Sequence, residues 1–181
     1  MRPRIYTKTG DDGTTGLLYG GRVPKDSAPI EINGAVDEAQ AALGLARAEA
    51  APGSELHDRL TVLARDLYVL MAEVATAPAN RAKLSAGRTL VSSEMVGGLE
   101  GDIDDLNERF DMPSDFVIPG ENRCVAALDL ARTIVRRAER LVVGHPVEGS
   151  LVAQYLNRLS DLLWAMARWQ EGPDHELSRR A

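Results

Sequence analysis

The sequence predicts an all-α protein, a five-helix bundle folded as a single domain. Two observations carry this. Only 4% of the 181 residues are aromatic, while alanine and leucine make up much of an apolar content of 44%, a balance that favours helices over strands. Apolar residues also recur at three- and four-residue spacing in five successive segments, and no stretch alternates as a half-buried strand would. A chain of this length, with 27% charged residues, is long enough to bury one proper core. No internal repeat and no second domain is apparent.

Residues 1–31 precede the first helix as an arm rich in Gly and Thr. Glycines at 10, 13, 16, 20 and 21 oppose a regular helix. Thr7, Thr9, Thr14 and Thr15 alternate with them, and Lys8, Arg22 and Lys25 add positive charge. Glycine lets backbone N–H groups approach an anion closely, and hydroxyls add short donors. No Gly-Lys-Ser/Thr follows at the spacing of a Walker loop.

The first helix is expected from Ile32 to Ala50, with Val36, Ala39, Leu43 and Ala46 as its stripe and Asp37 favourably placed near its start. Pro52-Gly53 breaks it, and Ser54 is positioned to cap a second helix carrying Leu56, Leu60, Leu63, Leu67, Leu70 and Val74 to about Ala77. Residues 78–91 read as a surface connection. A weaker helix is expected from Ser92 to Phe110, where three glycines intervene and scattered acids read as a solvated face. Phe116-Val117-Ile118 is a short apolar run, and Pro119-Gly120 opens the fourth helix. The last helix starts near Ser150, its expected cap, and buries Leu151, Tyr155, Leu159, Leu162, Leu163 and Met166. Asn157, Arg158 and Asp161 stand out on it as polar exceptions. From residue 171 to 181 a disordered tail is expected.

The fourth helix carries the chemistry. Ala127, Leu130, Ala131, Ile134, Val135, Ala138, Leu141 and Val142 fall on one face at 100° per residue. Arg132, Arg136 and Arg140 lie one turn apart on the other, with Arg137 beside them and Glu139 as the one nearby acid. Arginine suits a bidentate grip on phosphate or carboxylate. On a chain of net charge −6, such a row is a local positive site for a small anion, and a general nucleic-acid surface is excluded. The single cysteine, Cys124, rules out an internal disulfide and reads as a buried, inert thiol. The three histidines follow no metal-ligand pattern, and no Ser-His-Asp or Cys-His arrangement occurs. No signal peptide or membrane span is read, so a cytoplasmic protein is expected. From these residues alone, a helical protein binds a nucleotide or polyphosphate between its arm and its arginine helix. The reaction stays open between catalysis and a nucleotide-sensing module.

The run from Arg132 to Arg140, with Phe116 to Gly120 before it and Tyr155 to Asp161 after it, resembles the PduO-type ATP:cob(I)alamin adenosyltransferases. So does Tyr6-Thr7-Lys8-Thr9-Gly10-Asp11, and the similarity runs through nearly the whole chain in the same order. The resemblance implies transfer of the 5′-deoxyadenosyl group of ATP to cob(I)alamin, with triphosphate as leaving group and Mg2+ on the phosphates through ligands that the sequence does not name. It implies a homotrimer with active sites between subunits. Thr7, Lys8, Thr9, Gly10, Thr15, Gly16 and Lys25 would then bind ATP, together with Arg136, Arg137, Glu139, Arg140 and Asn157. Arg136 would be the main catalytic contact, Asp37 would pair with Arg132 across the interface, and Phe116 would lie under the corrin. A reductase and an adenosylcobalamin-dependent client enzyme are implied as partners. Glu121 and Asn122 depart from the family's Pro-Gly-Gly, and Asp129 stands where many relatives carry His.

Overall fold

The computed structural model of the chain describes residues 5–173 and 176–178. Five α-helices follow a small antiparallel hairpin, and a short 3-10 helix interrupts them. The hairpin, β1 (Thr14–Gly16) and β2 (Arg22–Pro24), pairs Thr15 with Val23. It corrects the expectation of a strand-free chain. Three-residue strands are too short to show alternation, and their turn depends on Tyr19, Gly20 and Gly21, all at positive φ. The hairpin's turn is docked: Leu18 N–H donates to the Ala75 carbonyl at 2.8 Å, and Asn80 Nδ2 donates to the Tyr19 carbonyl at 3.3 Å.

Helix α1 (Ala28–Glu49) begins earlier than its stripe suggested, because Pro29 is already compatible with its first turn. Helix α2 (Glu55–Val74) is capped as expected, Ser54 accepting from His57 N–H at 3.2 Å. The connection after it contains the 3-10 helix Pro78–Lys83. Helix α3 (Ser93–Asn107) is capped by Ser92. Helix α4 (Arg123–Val143) starts at Asn122, whose side chain accepts from Val125 N–H at 2.9 Å. The departure at Asn122 is thus a helix cap, and Pro119-Gly120 lies outside the helix. Helix α5 (Val152–Glu171) lacks the expected serine cap. The Ser150 hydroxyl donates to the buried Glu73 carboxylate at 2.6 Å and accepts from the first-turn Val152 N–H at 3.4 Å.

One core is shared by all five helices. Helix α4 packs against both α1 and α5, α2 packs on α1, and α3 packs on α5. The buried face of α4 is Val125, Leu128, Asp129, Ala131, Val135, Ala138 and Val142, while Leu130 is 49% exposed. The expected face was therefore rotated, because the sequence pattern placed Leu130 inside and Asp129 outside. On α5 the buried polar residues are Ser160, Arg168 and Glu171 rather than Arg158 or Asp161. Cys124 is half-buried, and burial foremost, then the Glu49 carboxylate, pushes its thiol up and keeps it unreactive. Within the tail, Glu176 and Ser178 exchange backbone hydrogen bonds with Ile118 and Phe116 (2.8 and 2.7 Å). Residues 174, 175 and 179–181, on which the rest of the expected tail falls, lie outside the described residues.

Helices α2 and α3 are tied by ions. Arg59 donates to Asp102 at 2.6 Å, to Asp105 at 2.7 Å and to Glu55 at 2.8 Å, and Arg109 grips Asp105 and Glu55 from the outside. Hydrogen bonds from Arg59 to Glu55, and from Arg109 to Asp105, hold both carboxyls below their ordinary range. Depressed folded-state values mean that this stabilisation is present above the usual carboxylate range and is lost as pH falls through the lowered values. Arg59→Ala should therefore lower the melting temperature by several degrees at neutral pH. The gap from wild type should close in acid and in high salt; a gap independent of both would assign Arg59 to packing alone.

Candidate functional site

Two concave sites carry the residues singled out in the sequence. The first lies within the arm. A cavity of about 300 Å³ is lined by Thr7, Lys8, Thr9, Gly10, Asp11, Thr14, Thr15, Gly16, Arg22 and Lys25. All seven arm residues expected to hold nucleotide are among them. Arg22 organises the loop: its Nη2 donates to the Thr9 carbonyl and the Thr14 hydroxyl, both at 2.6 Å. Asp12 accepts from the Thr14 hydroxyl and amide at 2.8 and 2.9 Å, which lowers its pKa, the hydroxyl contributing most. Lys8 sits at φ 61°, the left-handed region, with its ammonium 5.9 Å from the Tyr6 ring centre. Gly10 is required for space: a Cβ there would come within 3.0 Å of the Thr14 carbonyl oxygen and 3.1 Å of Lys25 Nζ. Cations, hydroxyls and close-lying backbone make this a concavity for phosphate.

The second site lies between the 114–119 loop, α4 and α5. It is a cavity of about 630 Å³ lined by Ser114, Asp115, Phe116, Val117, Pro119, Asp129, Arg132, Trp164 and Arg168. Phe116 is 80% exposed. Its loop is held by the 176–178 pairing, so an aromatic ring stands in the open on a fixed backbone. Below it Arg168 Nη2 donates to Asp129 Oδ2 at 2.9 Å, and Arg132 Nε donates to Asp129 Oδ1 at 3.3 Å. The Arg168 guanidinium lies 5.7 Å from the Trp164 ring centre.

The arginine row divides. Arg132 faces the Phe116 cavity. Arg137 pairs with Glu38 on α1. Glu139 accepts from Asn157 Nδ2 at 2.9 Å, joining α4 to α5. Arg136 and Arg140 are exposed, Arg140 reaching back to the Arg136 carbonyl at 3.1 Å. Asp37 is exposed on α1, away from any partner among the described residues, and within one chain Arg132 pairs with Asp129 instead. The arm cavity and the Phe116 cavity share no lining residue, and no residue from Arg136 to Arg140 lines either. Sequence reasoning missed Trp164, Arg168 and the floor role of Asp129. The available signal was the pair Trp164 and Arg168, one turn apart on a helix otherwise buried there. Among the described residues no cluster of His, Cys, Asp or Glu is arranged to hold a metal ion, and no helix is long and apolar enough to cross a membrane.

The sequence profile of the cobalamin adenosyltransferase family matches residues 5–170. The corrinoid adenosyltransferase of Mycobacterium tuberculosis is 39% identical, over 97% of each chain. That of Bacillus subtilis is 38% identical, over 91% of this chain and 85% of the other. Among solved structures, a variant PduO-type ATP:corrinoid adenosyltransferase from Lactobacillus reuteri, complexed with cobalamin and ATP, superposes with a TM-score of 0.82. It is 28% identical, over 93% of this chain and 91% of the other.

The exposure of Phe116 separates two accounts of it. A ring packed in a core costs about 3–5 kcal/mol when cut to alanine. A ring 80% exposed has little packing to lose, so Phe116→Ala should melt within a degree or two of wild type by calorimetry. A fall of ten degrees would place the ring in the core.

Proposed function

The chain belongs to the cobalamin adenosyltransferase family, and we propose on that premise that it transfers the 5′-deoxyadenosyl group of ATP to the cobalt of cob(I)alamin. The observation that carries this reading is Phe116, an exposed ring on a fixed loop at a cavity walled by Arg132 and Trp164. An aromatic ring can also stack on a base, but Phe116 stands at a cavity that shares no lining residue with the arm, which favours a second, macrocyclic ligand.

Cob(I) brings the electron pair. It attacks the ribose C5′, the C5′–O bond breaks, and the bonding pair leaves on triphosphate. The protein therefore supplies no nucleophile, which suits a chain without a triad. Its work is to align cobalt with C5′ and to stabilise charge building on the leaving group. Thr7, Lys8, Thr9, Gly10, Thr15, Gly16 and Lys25 cradle the phosphates, with Thr14 and Arg22 shaping the loop. Arg136 and Arg140, exposed and without an acidic partner among the described residues, add transition-state charge. Arg137, Glu139 and Asn157 position that helix through Glu38 and through each other. Mg2+ would supply charge neutralisation to the triphosphate, and among the described residues no carboxylate cluster is arranged to hold it.

Phe116 acts on the cobalt. A ring under the corrin displaces the lower axial ligand of cob(II)alamin, and losing that donor lowers the orbital that accepts the electron. The one-electron reduction to cob(I), fed by a reductase, becomes feasible. The arginine row and the arm cavity do not meet within one chain. That separation supports an active site assembled between subunits, and in the homotrimer of helical bundles that we propose, Asp37 of one copy takes the free side of Arg132 on the next. The enzyme works in the cytoplasm and supplies an adenosylcobalamin-dependent client.

The direct test is a spectrum. Cobalamin, a chemical reductant, ATP, Mg2+ and the protein should give the absorbance of adenosylcobalamin; cob(I) that persists unconverted would end the reading. Shared sites predict a second result. Gly10→Ala spoils the arm and Arg136→Lys removes the planar fork, so each variant alone should turn over at a small fraction of wild type. Mixed and refolded together in equal amounts, they should recover about a quarter of wild-type activity, the share of sites with both halves intact in a closed ring. No recovery from mixtures shown to be mixed oligomers would place both halves in one chain.

A further inference from the structure

Glu139 is the one acid in the arginine row, and it is turned away from the cation best placed to take it. On a helix a side chain meets those three and four positions away. For Glu139 these are Val135, Arg136, Val142 and Val143, so Arg136 is its natural partner. Among the described residues the two do not pair; Glu139 Oε1 instead accepts from Asn157 Nδ2 on α5 at 2.9 Å. Asn157 is itself held. Its Oδ1 accepts from Arg158 Nη1 at 2.5 Å, and Arg158 Nε donates to Glu100 Oε1 on α3 at 2.9 Å. An amide has one donor end and one acceptor end. A guanidinium on one side and a carboxylate on the other therefore admit a single orientation of Asn157. The series Glu100, Arg158, Asn157, Glu139 crosses three helices and ends by drawing the last carboxylate toward α5.

We propose that Arg158 and Glu100 are positioning residues for ATP: through Asn157 they hold Glu139 off Arg136 and leave that guanidinium open to the triphosphate. The inference rests on the reading of Arg136 as a phosphate contact. A carboxylate released beside Arg136 would act twice against the nucleotide. It would occupy the fork that phosphate needs, and it would bring negative charge toward a polyanion. Asn157 alone does not prevent this, because an unanchored amide turns about its side-chain bonds. Arg158 removes that freedom, and Glu100 in turn fixes Arg158.

Calorimetric titration of ATP with Mg2+ into the purified protein reads the effect without turnover. Arg158→Met lets Asn157 turn and should weaken ATP about fivefold, the upper range for a partly exposed ion pair. Made in a Glu139→Gln background, the same substitution should change ATP affinity by less than about 1.5-fold, since no carboxylate remains to close on Arg136. In turnover, the KM for ATP should rise while that for the corrinoid stays within about twofold of wild type. Glu100→Ala removes the outer anchor and should weaken ATP about twofold, although loss of an anion by itself favours a polyanion. Equal losses from Arg158→Met in both backgrounds would overturn the proposal, leaving Arg158 as a distant cation or a contact of the fold. So would Glu100→Ala binding ATP as tightly as wild type or more tightly. A protein that shows the coupling in ATP binding but never converts cob(I)alamin would sink the adenosyl-transfer reading and leave this one standing.

Discussion

A carboxylate taken out of water must find cations on more than one side, and in this protein Asp129 finds them on two different helices. Arg168 approaches from α5 and Arg132 from its own helix one turn on. That requirement fixes the rotation of α4 about its axis, because Asp129 can reach Arg168 only if it faces the core. Leu130 is then carried to the surface and the arginine row is turned outward. The same pair closes the floor of the Phe116 cavity. Packing and binding surface are here one arrangement, and neither can be altered without the other.

Charge is distributed with the same economy elsewhere. The chain is acidic overall, with a formal net charge of −6, and its cations divide between ion pairs of the fold and positions on the arm and α4. Those needed for the fold are saturated: Arg59 and Arg109 by α3 and Glu55, Arg81 by the buried Glu73, and Arg168 by Asp129 and Glu171. Lys25 lines the arm cavity, and Arg136 and Arg140 stand exposed on α4. An arginine already gripped by carboxylates has little left to offer a phosphate, so Arg136 and Arg140 are freer to meet one than Arg137, which Glu38 holds.

Helix periodicity made most of the fold legible, because leucine stripes as regular as Leu56 to Leu70 admit one reading. Failures came where a polar group overrides the stripe. Asp129 looks like a surface residue by type, and the partner that draws it inward is 39 positions away on α5. Strands of three residues carry no period at all, so the hairpin was hidden behind the glycines that form its turn. The arm site was legible because its residues are contiguous. The Phe116 site joins the 114–119 loop to two helices; Phe116 and Asp129 were named beforehand, Arg132 was named for the subunit interface, and Trp164 and Arg168 were not named.

Phe116 shows why the two halves of the site need opposite backbones. Phosphate is bound by many short donors, so the arm is glycine-rich, with Gly10 leaving space for Lys25 and left-handed geometry at Lys8. On the proposed reading a macrocycle is bound by area, and Phe116, 80% exposed, offers its ring to solvent without help from side-chain packing. The chain meets this demand through the backbone. Hydrogen bonds to Glu176 and Ser178 clamp Phe116 and Ile118 from one side, and the Asp115 carboxylate accepts the Phe116 N–H at 2.7 Å from the other. An exposed aromatic on a free loop would collapse onto the nearest apolar surface. Fixed at its main chain, it stays available, and the cost of ordering it is met at folding rather than when substrate arrives.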